Sequence, residues 1–521
     1  MRMSTLNRLL LIMMICAGGI SSAGAASSGA PNILVIFGDD IGYSNVSSYG
    51  GDIMGVQTPN IDRIGREGVR FTSFYSHPSC TAGRAAFITG QLPVRTGMTL
   101  VGLPGSTTGL KKEDVTLAEV LKTKGYATGQ FGKNHLGDLE ENLPHRRGFD
   151  EFWGNLYHLN AQEEPADLDR TRIMGKSTAF LPRGVVSGSA DGKTNDEGPL
   201  TAKRMETVDD EILAHSKDFI ARQVKAKKPF FVWHNSTRMH VFTHLKDAVK
   251  GKSRASADDN YGAGLAEHDG HVGELLKQLD DLGIAENTIV IYTTDNGAYQ
   301  YMWPEGGTTP FRGDKGTTWE GGVRVPAVVR WLGRIKPGQV SADIMAMEDW
   351  FPTLANIGGE ADTVAKLKKG QKYGEMSYKV HLDGFDQTDF LTGKSSKSAR
   401  NHVFYYDEAN LTAVRLGPWK ISIASKRGGK WDDQLQPYGR PPITNLLMDP
   451  FERQEGDVNR AWTEAKGWVY MPVMGLMQQH LESFKEFPPR QVNMSGDVTK
   501  MVWGTMQQIN AAASVRRASG G

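Results

Sequence analysis

The chain has 521 residues, 60 lysines and arginines against 59 acidic residues, 39% hydrophobic content and 60 glycines. So even a charge balance argues against a nucleic-acid partner, which calls for a basic face or a high pI. A chain this long buries a large core and divides into more than one domain, and the many glycines suit loops on an enzyme scaffold.

Arg2 and Arg8 precede an apolar run, Leu9 to Ile20, and small residues ending in Ala23-Gly24-Ala25, which is the layout of a secretory signal spanning 1–25. The run is shorter than the ~20 residues a bilayer-spanning helix needs. Cys16 follows Met13-Met14-Ile15 instead of the small residues expected ahead of a lipidated cysteine. A secreted or periplasmic protein with no membrane partner is expected. Next comes Asn32-Ile33-Leu34-Val35-Ile36-Phe37, a continuous apolar run ending in Gly38-Asp39-Asp40. It reads as a strand buried on both faces of a parallel sheet. Thr116 to Lys124 reads as a helix, and the stretch from Gly154 to about Pro199, without clear periodicity, as a long surface excursion.

Pro229 to Trp233 repeats the strand grammar and runs into His234 and then His240. Glu274 to Leu282 has leucines at helical spacing, and Thr288 to Thr294 is a strand leading into Asp295-Asn296-Gly297. Alternating strands and helices predict an α/β fold with a mostly parallel central sheet flanked by helices. Ligands bind such sheets at the carboxyl ends of the strands, where these polar pairs fall. Near residue 400 the pattern changes to short antiparallel strands: Val403 to Tyr406, Thr412 to Arg415 and Trp419 to Ile423. The expected division is a catalytic domain over 26–398 and a smaller antiparallel-sheet domain over 399–521, ending in a disordered tail from Ala511.

Without the leader, Cys80 is the only cysteine. Unable to form an intramolecular disulfide, it is either a buried inert thiol, an intermolecular partner, or present for chemistry. Arg84 lies four residues on and would share a helix face with it. Asp39, Asp40, Asp295 and Asn296 offer hard oxygens from distant positions, a set that fits Ca²⁺ or Mg²⁺. Taken singly, Asp39-Asp40 equally suits a helix cap and Asp295-Asn296-Gly297 a turn. In Gly132-Lys133-Asn134-His135-Leu136-Gly137, Lys133 and His135 point the same way on an extended segment, so one anion could receive both. A solvated surface pair is the plainer alternative.

Several of these segments resemble, in order, the signature of the type I sulfatases of the alkaline-phosphatase superfamily, arylsulfatases in particular. Cys80-Thr81-Ala82-Gly83-Arg84 followed by Thr89-Gly90 is similar to the family's Cys-x-Pro-x-Arg and Thr-Gly, with Ala82 in place of proline. Lys133 and His135 sit as in Gly-Lys-Trp-His-Leu-Gly, with Asn134 replacing tryptophan. Lys315-Gly316 through Glu320-Gly321-Gly322, Arg324 and Pro326 resemble the family's Lys-Gly-x-x-x-Glu-Gly-Gly-x-Arg-x-Pro, and Asn445 to Glu452 its closing segment. The resemblance implies an alkaline-phosphatase-like fold and hydrolysis of a sulfate ester, on a small molecule or a saccharide.

It also implies roles. Cys80 would be oxidised to formylglycine, whose hydrate attacks sulfur with one hydroxyl and later expels sulfate by losing the other proton. Arg84 would hold the hydrate. Lys133 would contact sulfate and nucleophile, His135 would act as base in the collapse of the ester, and His240 would stand on the substrate side. Lys315 would contact sulfate and leaving group, while Glu320 and Arg324 brace the loop. Asp39, Asp40, Asp295, Asn296 and the modified Cys80 would hold the metal, Ca²⁺ before Mg²⁺. Ala82 resembles family members matured by a radical-type formylglycine-generating enzyme, which would be a partner. His234 and His244 compete with His240, and Arg238 is a second candidate anion contact. Tyr299, Tyr301 and Trp303 either flank an aryl or sugar group or pack locally. A phosphonate monoester or phosphodiester hydrolase of the same superfamily is the nearest rival, and an inactive binder of sulfated glycans, should Cys80 stay unmodified, is the rival from another class.

Overall fold

The site strands Asn32–Gly38 and Phe230–Asn235 carry apolar runs, and the strands on either side of them are buried at every position, which only a sheet covered on both faces can accommodate. In the computed structural model, residues 29–493 are described apart from 51–52, 54, 101, 103, 176, 178–180, 302–304 and 455–459. The expected leader 1–25, the tail from Ala511 and Trp303 lie outside the described residues.

Ten strands form one sheet: Asn32–Gly38 (β1), Val69–Phe71 (β2), Ala127–Gly132 (β3), Glu151–Asn155 (β4), Val185–Ser189 (β5), Thr194–Asp196 (β6), Phe230–Asn235 (β7), Thr288–Thr294 (β8), Ala327–Arg330 (β9) and Gln339–Ser341 (β10). Their spatial order is β10-β2-β9-β8-β1-β7-β3-β4-β5-β6. The central strands β8, β1, β7, β3 and β4 run parallel, and β9, β5 and β6 pair antiparallel to their inner neighbours.

Side chains divide by the period of two. Ile33, Val35 and Phe37 of β1 join Phe231, Trp233, Ile289 and Ile291 on one face, beneath the helices Cys80–Thr89 (α2), Leu117–Thr123 (α3) and Trp350–Ile357 (α6). Leu34 and Ile36 join Val232 and Val290 on the other, beneath Pro59–Arg66 (α1), Val208–Lys225 (α4) and Asn260–Asp281 (α5). Each such aliphatic side chain taken fully out of water stabilises the fold by roughly 1.5–3 kcal/mol. Register then aligns the strand ends. Gly38 pairs with Thr294, Phe37 with Asn235, and Gly132 with Asn235, so Asp39, Asp295, Ser236 and Lys133 leave four adjacent parallel strands at one edge.

The predicted helix Thr116 to Lys124 is α3, with Thr116 as its cap: its side chain accepts from the Glu119 amide at 3.1 Å, while Glu119 accepts from the Thr116 amide at 2.7 Å. Two readings change. The segment from Gly154 begins inside β4 and folds its Val185–Ser189 and Thr194–Asp196 stretches onto the sheet edge, so it is not wholly an excursion; one covered face and few apolar residues left no alternation to read. The helix expected from Glu274 begins at Asn260, capped by Asp259, and its early glycines hid the first turns.

Beyond residue 400, His402–Asp407 (β11), Asn410–Leu416 (β12), Trp419–Ser422 (β13) and Ile443–Asn445 (β14) form an antiparallel sheet. Phe404, Tyr406, Val414 and Ile421 pack on Val473 of the helix Tyr470–Glu486 (α7). Val403, Tyr405 and Ala413 pack the other way, on Tyr75, Val323 and Ile344.

Candidate active site

Cys80 opens α2, one residue after Ser79, whose hydroxyl accepts from the Ala82 amide at 3.4 Å and donates to the Thr99 carbonyl at 2.7 Å. The helix packs unusually close to the end of β8: a Cβ at Gly83 would come within 1.9 Å of the Asp295 carbonyl oxygen. Glycine there lets the helix start lie against the strand ends. As a result, ligand atoms of Asp39, Cys80 and Asp295 all lie within 4.8 Å of one another, and all three residues are buried.

Three carboxylates and three cations share this space. Arg84 is fully buried; its Nε donates to Asp295 Oδ2 at 2.9 Å and its Nη1 to the Lys133 carbonyl at 2.9 Å and Asn235 Oδ1 at 3.0 Å. Lys133 Nζ donates to Asp39 Oδ2 at 2.6 Å. Lys315 Nζ donates to both oxygens of Asp40, at 2.6 and 2.8 Å, and the Asp40 amide donates to Asp295 Oδ1 at 3.2 Å. Buried charges persist only when paired or liganded. Burial opposes the Lys315 charge, but Asp40, Asp39 and Asp295 outweigh it and raise its pKa.

Two oxygens are left over. Asp39 Oδ1 and Asn296 Oδ1 are buried with no hydrogen-bond partner, while the Asn296 amide donates to Asp40 Oδ1 at 2.8 Å. Hard, partnerless oxygens beside two further carboxylates are what a divalent cation of the Ca²⁺ or Mg²⁺ type takes as ligands, so the residues fit such an ion.

Burial disfavours the charged form of both site histidines. Burial, then Lys133 and other nearby cations, hold His135 well below the usual range, and burial with Lys315 and Lys133 does the same for His240. Both His135 ring nitrogens are buried without a partner. His240 Nδ1 donates to the Val241 carbonyl at 2.7 Å, which directs Nε2 to the Asp40 side, 3.7 Å from Oδ2. Burial pushes the Cys80 thiol up to about 11 against the pull of Lys133 and Lys315. At neutral pH an unmodified sulfur here is a thiol, which is a poor nucleophile.

The fold thus gathers Asp39, Asp40, Cys80, Arg84, Lys133, His135, His240, Asp295, Asn296 and Lys315 into one buried cluster. Arg238 does not join it: its guanidinium is taken up by ion pairs 3.3 Å from Asp209 Oδ2 and 3.0 Å from Glu267 Oε2, in place of the expected substrate-anion contact. His234 lies inside β7 with Nδ1 2.9 Å from Ser216 Oγ, and His244 pairs with Glu163 nearer the surface. Glu320 accepts from Tyr75 and Tyr405 hydroxyls at 2.5 and 3.0 Å and stands 3.3 Å from Lys420 Nζ, which braces its loop.

Sequence reasoning missed His158, stacked on His240 at 5.7 Å and set edge-on to His135 at 5.4 Å. Its position just past the carboxyl end of β4 was the available signal. It also missed Asn235, the last residue of β7, and Trp431, whose ring lies 5.5 Å from Lys315 Nζ and which nothing local in the sequence marks.

A cationic and acidic cluster at the carboxyl edge of a helix-flanked, largely parallel sheet is suited to hold an anion beside a metal ion. The sulfatase family model matches residues 31–360. Human arylsulfatase A (Homo sapiens) is 34% identical over 507 residues, covering 91% of this chain and 93% of that protein. N-acetylgalactosamine-6-sulfatase of Canis lupus familiaris is 33% identical, covering 79% and 74%. The crystal structure of PsFucS1 sulfatase from Pseudoalteromonas sp. superimposes with a TM-score of 0.80 at 32% identity, covering 89% of this chain and 92% of that one. The chain belongs to the type I sulfatase family and is a sulfuric ester hydrolase.

Proposed function

We propose that the protein hydrolyses sulfate monoesters with a nucleophile made from Cys80. The observation that carries this reading is the convergence of Arg84, Lys133 and Lys315 with three carboxylates around that one buried side chain. Formylglycine formed from Cys80 would supply one hydroxyl for attack on sulfur and a second whose deprotonation releases sulfate. A divalent cation held by Asp39, Asp40, Asp295 and Asn296 would supply positive charge to that nucleophile and to a sulfate oxygen. Ca²⁺ suits these oxygen donors better than Mg²⁺, which demands a tighter octahedral shell and retains its waters.

The chain's own groups complete the chemistry. Lys133 and Lys315 neutralise the anion and the charge that builds on the bridging oxygen as the ester bond breaks. Arg84 fixes the nucleophile's end of α2 against Asp295. His135, neutral and partnerless, is poised to accept a proton. His240, with its proton held on Nδ1, faces Nε2 toward the leaving-group side. The closed, desolvated site strengthens each of these interactions.

An aerobic or radical-type formylglycine-generating enzyme acts on the Cys80 segment, the radical type being favoured by Ala82. Export to the periplasm or medium follows from the leader-like start, and among the described residues no helix is long and apolar enough to cross a membrane. Residues 26–398 form the catalytic domain and 399–521 the smaller one in this reading. Mass spectrometry of the Cys80 peptide tests the central claim: a mass loss of about 18 Da with aldehyde reactivity is expected, and an unaltered thiol in active protein refutes it. Side-by-side turnover of an aryl sulfate and a phosphodiester tests the rival phosphonate or phosphodiester reading, with the sulfate expected to be preferred.

A further inference from the structure

Lys315 sits on a stretch of backbone, Gly313 to Trp319, that forms neither helix nor strand. Two glycines at positive φ, Gly313 at +76° and Gly316 at +82°, give this stretch more conformational freedom than other residues would. Keeping one ammonium 2.6 and 2.8 Å from the Asp40 oxygens therefore requires that the backbone be held from outside. The Lys315 amide donates to the Ala298 carbonyl at 2.7 Å, and the Gly316 amide donates to the Pro78 carbonyl at 2.7 Å. These two bonds tie the loop to the segments that carry Asp295 and Cys80.

Further bonds come from beyond residue 400. Lys426, at the end of the short strand Ala424–Lys426, donates from Nζ to the Gly316 carbonyl at 2.9 Å, and its own carbonyl accepts from Trp319 Nε1 at 2.7 Å. Lys420, on β13, donates from Nζ to the Thr318 carbonyl at 2.9 Å. Gly316 is thus gripped twice, by the Cys80 segment through its amide and by Lys426 through its carbonyl. Both lysines are buried, Lys420 at 1% exposure and Lys426 at 8%. Asp407 Oδ1 stands 3.2 Å from Lys426 Nζ, and Glu452 Oε1 stands 2.7 Å from Lys420 Nζ. Taking such pairs out of water costs about as much as their attraction returns, so a joint that needs only cohesion does as well with apolar residues. What a buried ammonium adds is a directed, charge-assisted bond to one chosen carbonyl.

We propose that Lys426, with Lys420 beside it, is a positioning residue for Lys315: by fixing the carbonyls that follow Lys315 in the loop, it sets where the Lys315 ammonium meets the bridging oxygen of the ester. Lys426 itself does not touch substrate. This rests on the sulfatase reading above and gives the chain beyond residue 400 a part in turnover, because a shift of about 1 Å in a positioned group can cost about a hundredfold in rate. A displaced Lys315 leaves the charge on the bridging oxygen less compensated. An ester with a poorer leaving group, on which more of that charge must be met, then suffers more.

The test uses the matured full-length protein, with the Cys80 modification verified, and two esters: 4-nitrophenyl sulfate and phenyl sulfate, the poorer leaving group. Lys426→Met, close in size and uncharged, should lower kcat by about tenfold on the first and about thirtyfold on the second, with KM within about twofold. Lys426→Gln, which leaves Asp407 a polar partner, should show the same ordering at about a third of the size, and it decides the question if the methionine variant does not fold. Lys315→Ala should cost about 10²-fold or more on both esters, and in that background either Lys426 variant should add less than about twofold, since no ammonium is left to place. Equal losses on the two esters, or a Lys426 loss as large without Lys315 as with it, mean that Lys426 serves only the fold and overturn the proposal. So does Lys426→Met activity within about twofold of wild type. Lys315→Ala activity equal to wild type overturns it as well but leaves the sulfatase reading standing; no turnover of either ester by the wild type removes both.

Discussion

Two clusters of acidic and ligating side chains lie a short way apart in this fold, and they differ in what remains unpaired. At the strand ends, Asp39, Cys80 and Asp295 converge; between α4 and α5, Asp210, Glu267 and His271 do so with the same closeness. In the second cluster, ordinary partners take up the charge. Lys246 Nζ stands 2.6 Å from Asp210 and 3.0 Å from Glu267, Arg238 stands 3.0 Å from Glu267, and His271 Nε2 lies 3.1 Å from Asp210. It is a partly buried ion-pair network. The strand-end cluster is fully buried and keeps four atoms without hydrogen-bond partners, Asp39 Oδ1, Asn296 Oδ1 and both nitrogens of His135, whereas in the helix-side cluster Glu267 Oε1 alone lacks a hydrogen bond and is paired with Lys246. Convergence of ligand types alone therefore does not mark a site; several unsatisfied ligand atoms concentrated around one buried point mark it better.

The contrast breaks most sharply at Cys80. Cys80→Ala should cost about 10⁴-fold or more in kcat on an aryl sulfate with little change in Tm, since a small buried thiol is replaced by a smaller side chain of similar shape. Next come the oxygen ligands. Asp39→Ala or Asp295→Asn should lower kcat/KM by about 10³-fold and abolish stabilisation by Ca²⁺, which for the wild type should reach about 2.7 kcal/mol at a hundredfold excess over Kd. Asp210→Asn should leave that Ca²⁺ response in place, as read by thermal shift with and without chelator; a lost response there would make the helix-side cluster the metal site. A third test is smaller: His240→Ala should reduce kcat/KM by about 10²-fold, while His244→Ala stays within about twofold because its partner Glu163 lies outside the cluster.

What could be read from the chain beforehand divides along similar lines. β1, β7 and β8 announce themselves because strands buried on both faces favour apolar runs, and the ends of β1 and β8 supply Asp39, Asp40, Asp295 and Asn296 in sequence-adjacent pairs. Lys133, His135 and Lys315 were legible through contiguous motifs. Trp431 and His158 were not, because their roles come from topology: the antiparallel sheet carries Trp431 back over Lys315, and the end of β4 brings His158 onto His240. Arg238 misled because it neighbours His240 in sequence. Its side chain pairs with Asp209 and Glu267 instead. Chain proximity does not settle which side of a loop a group faces.

Asp209, beside Asp210 on α4, offers the finest test of the claim that the helix-side carboxylates serve the fold. Burial would raise its pKa, but Arg238 and the hydroxyls of Ser236 and Thr237 more than offset this and hold it at about 2, below the ordinary 3.8. Ser236 Oγ donates to Oδ1 at 2.6 Å and the Thr237 amide at 2.9 Å. A carboxyl whose folded pKa is depressed contributes stability above its unfolded pKa, and that contribution drains away as pH falls through the folded value. The window is therefore from about pH 4 down to about pH 2, and the amount is about 2 kcal/mol. Urea denaturation between pH 6 and pH 2.5 should show a shallower acid decline for Asp209→Asn than for the wild type. Parallel declines would mean that the carboxylate is not held by these partners, and the separation between a cluster that maintains the fold and one left open for chemistry would lose its support on the helix side.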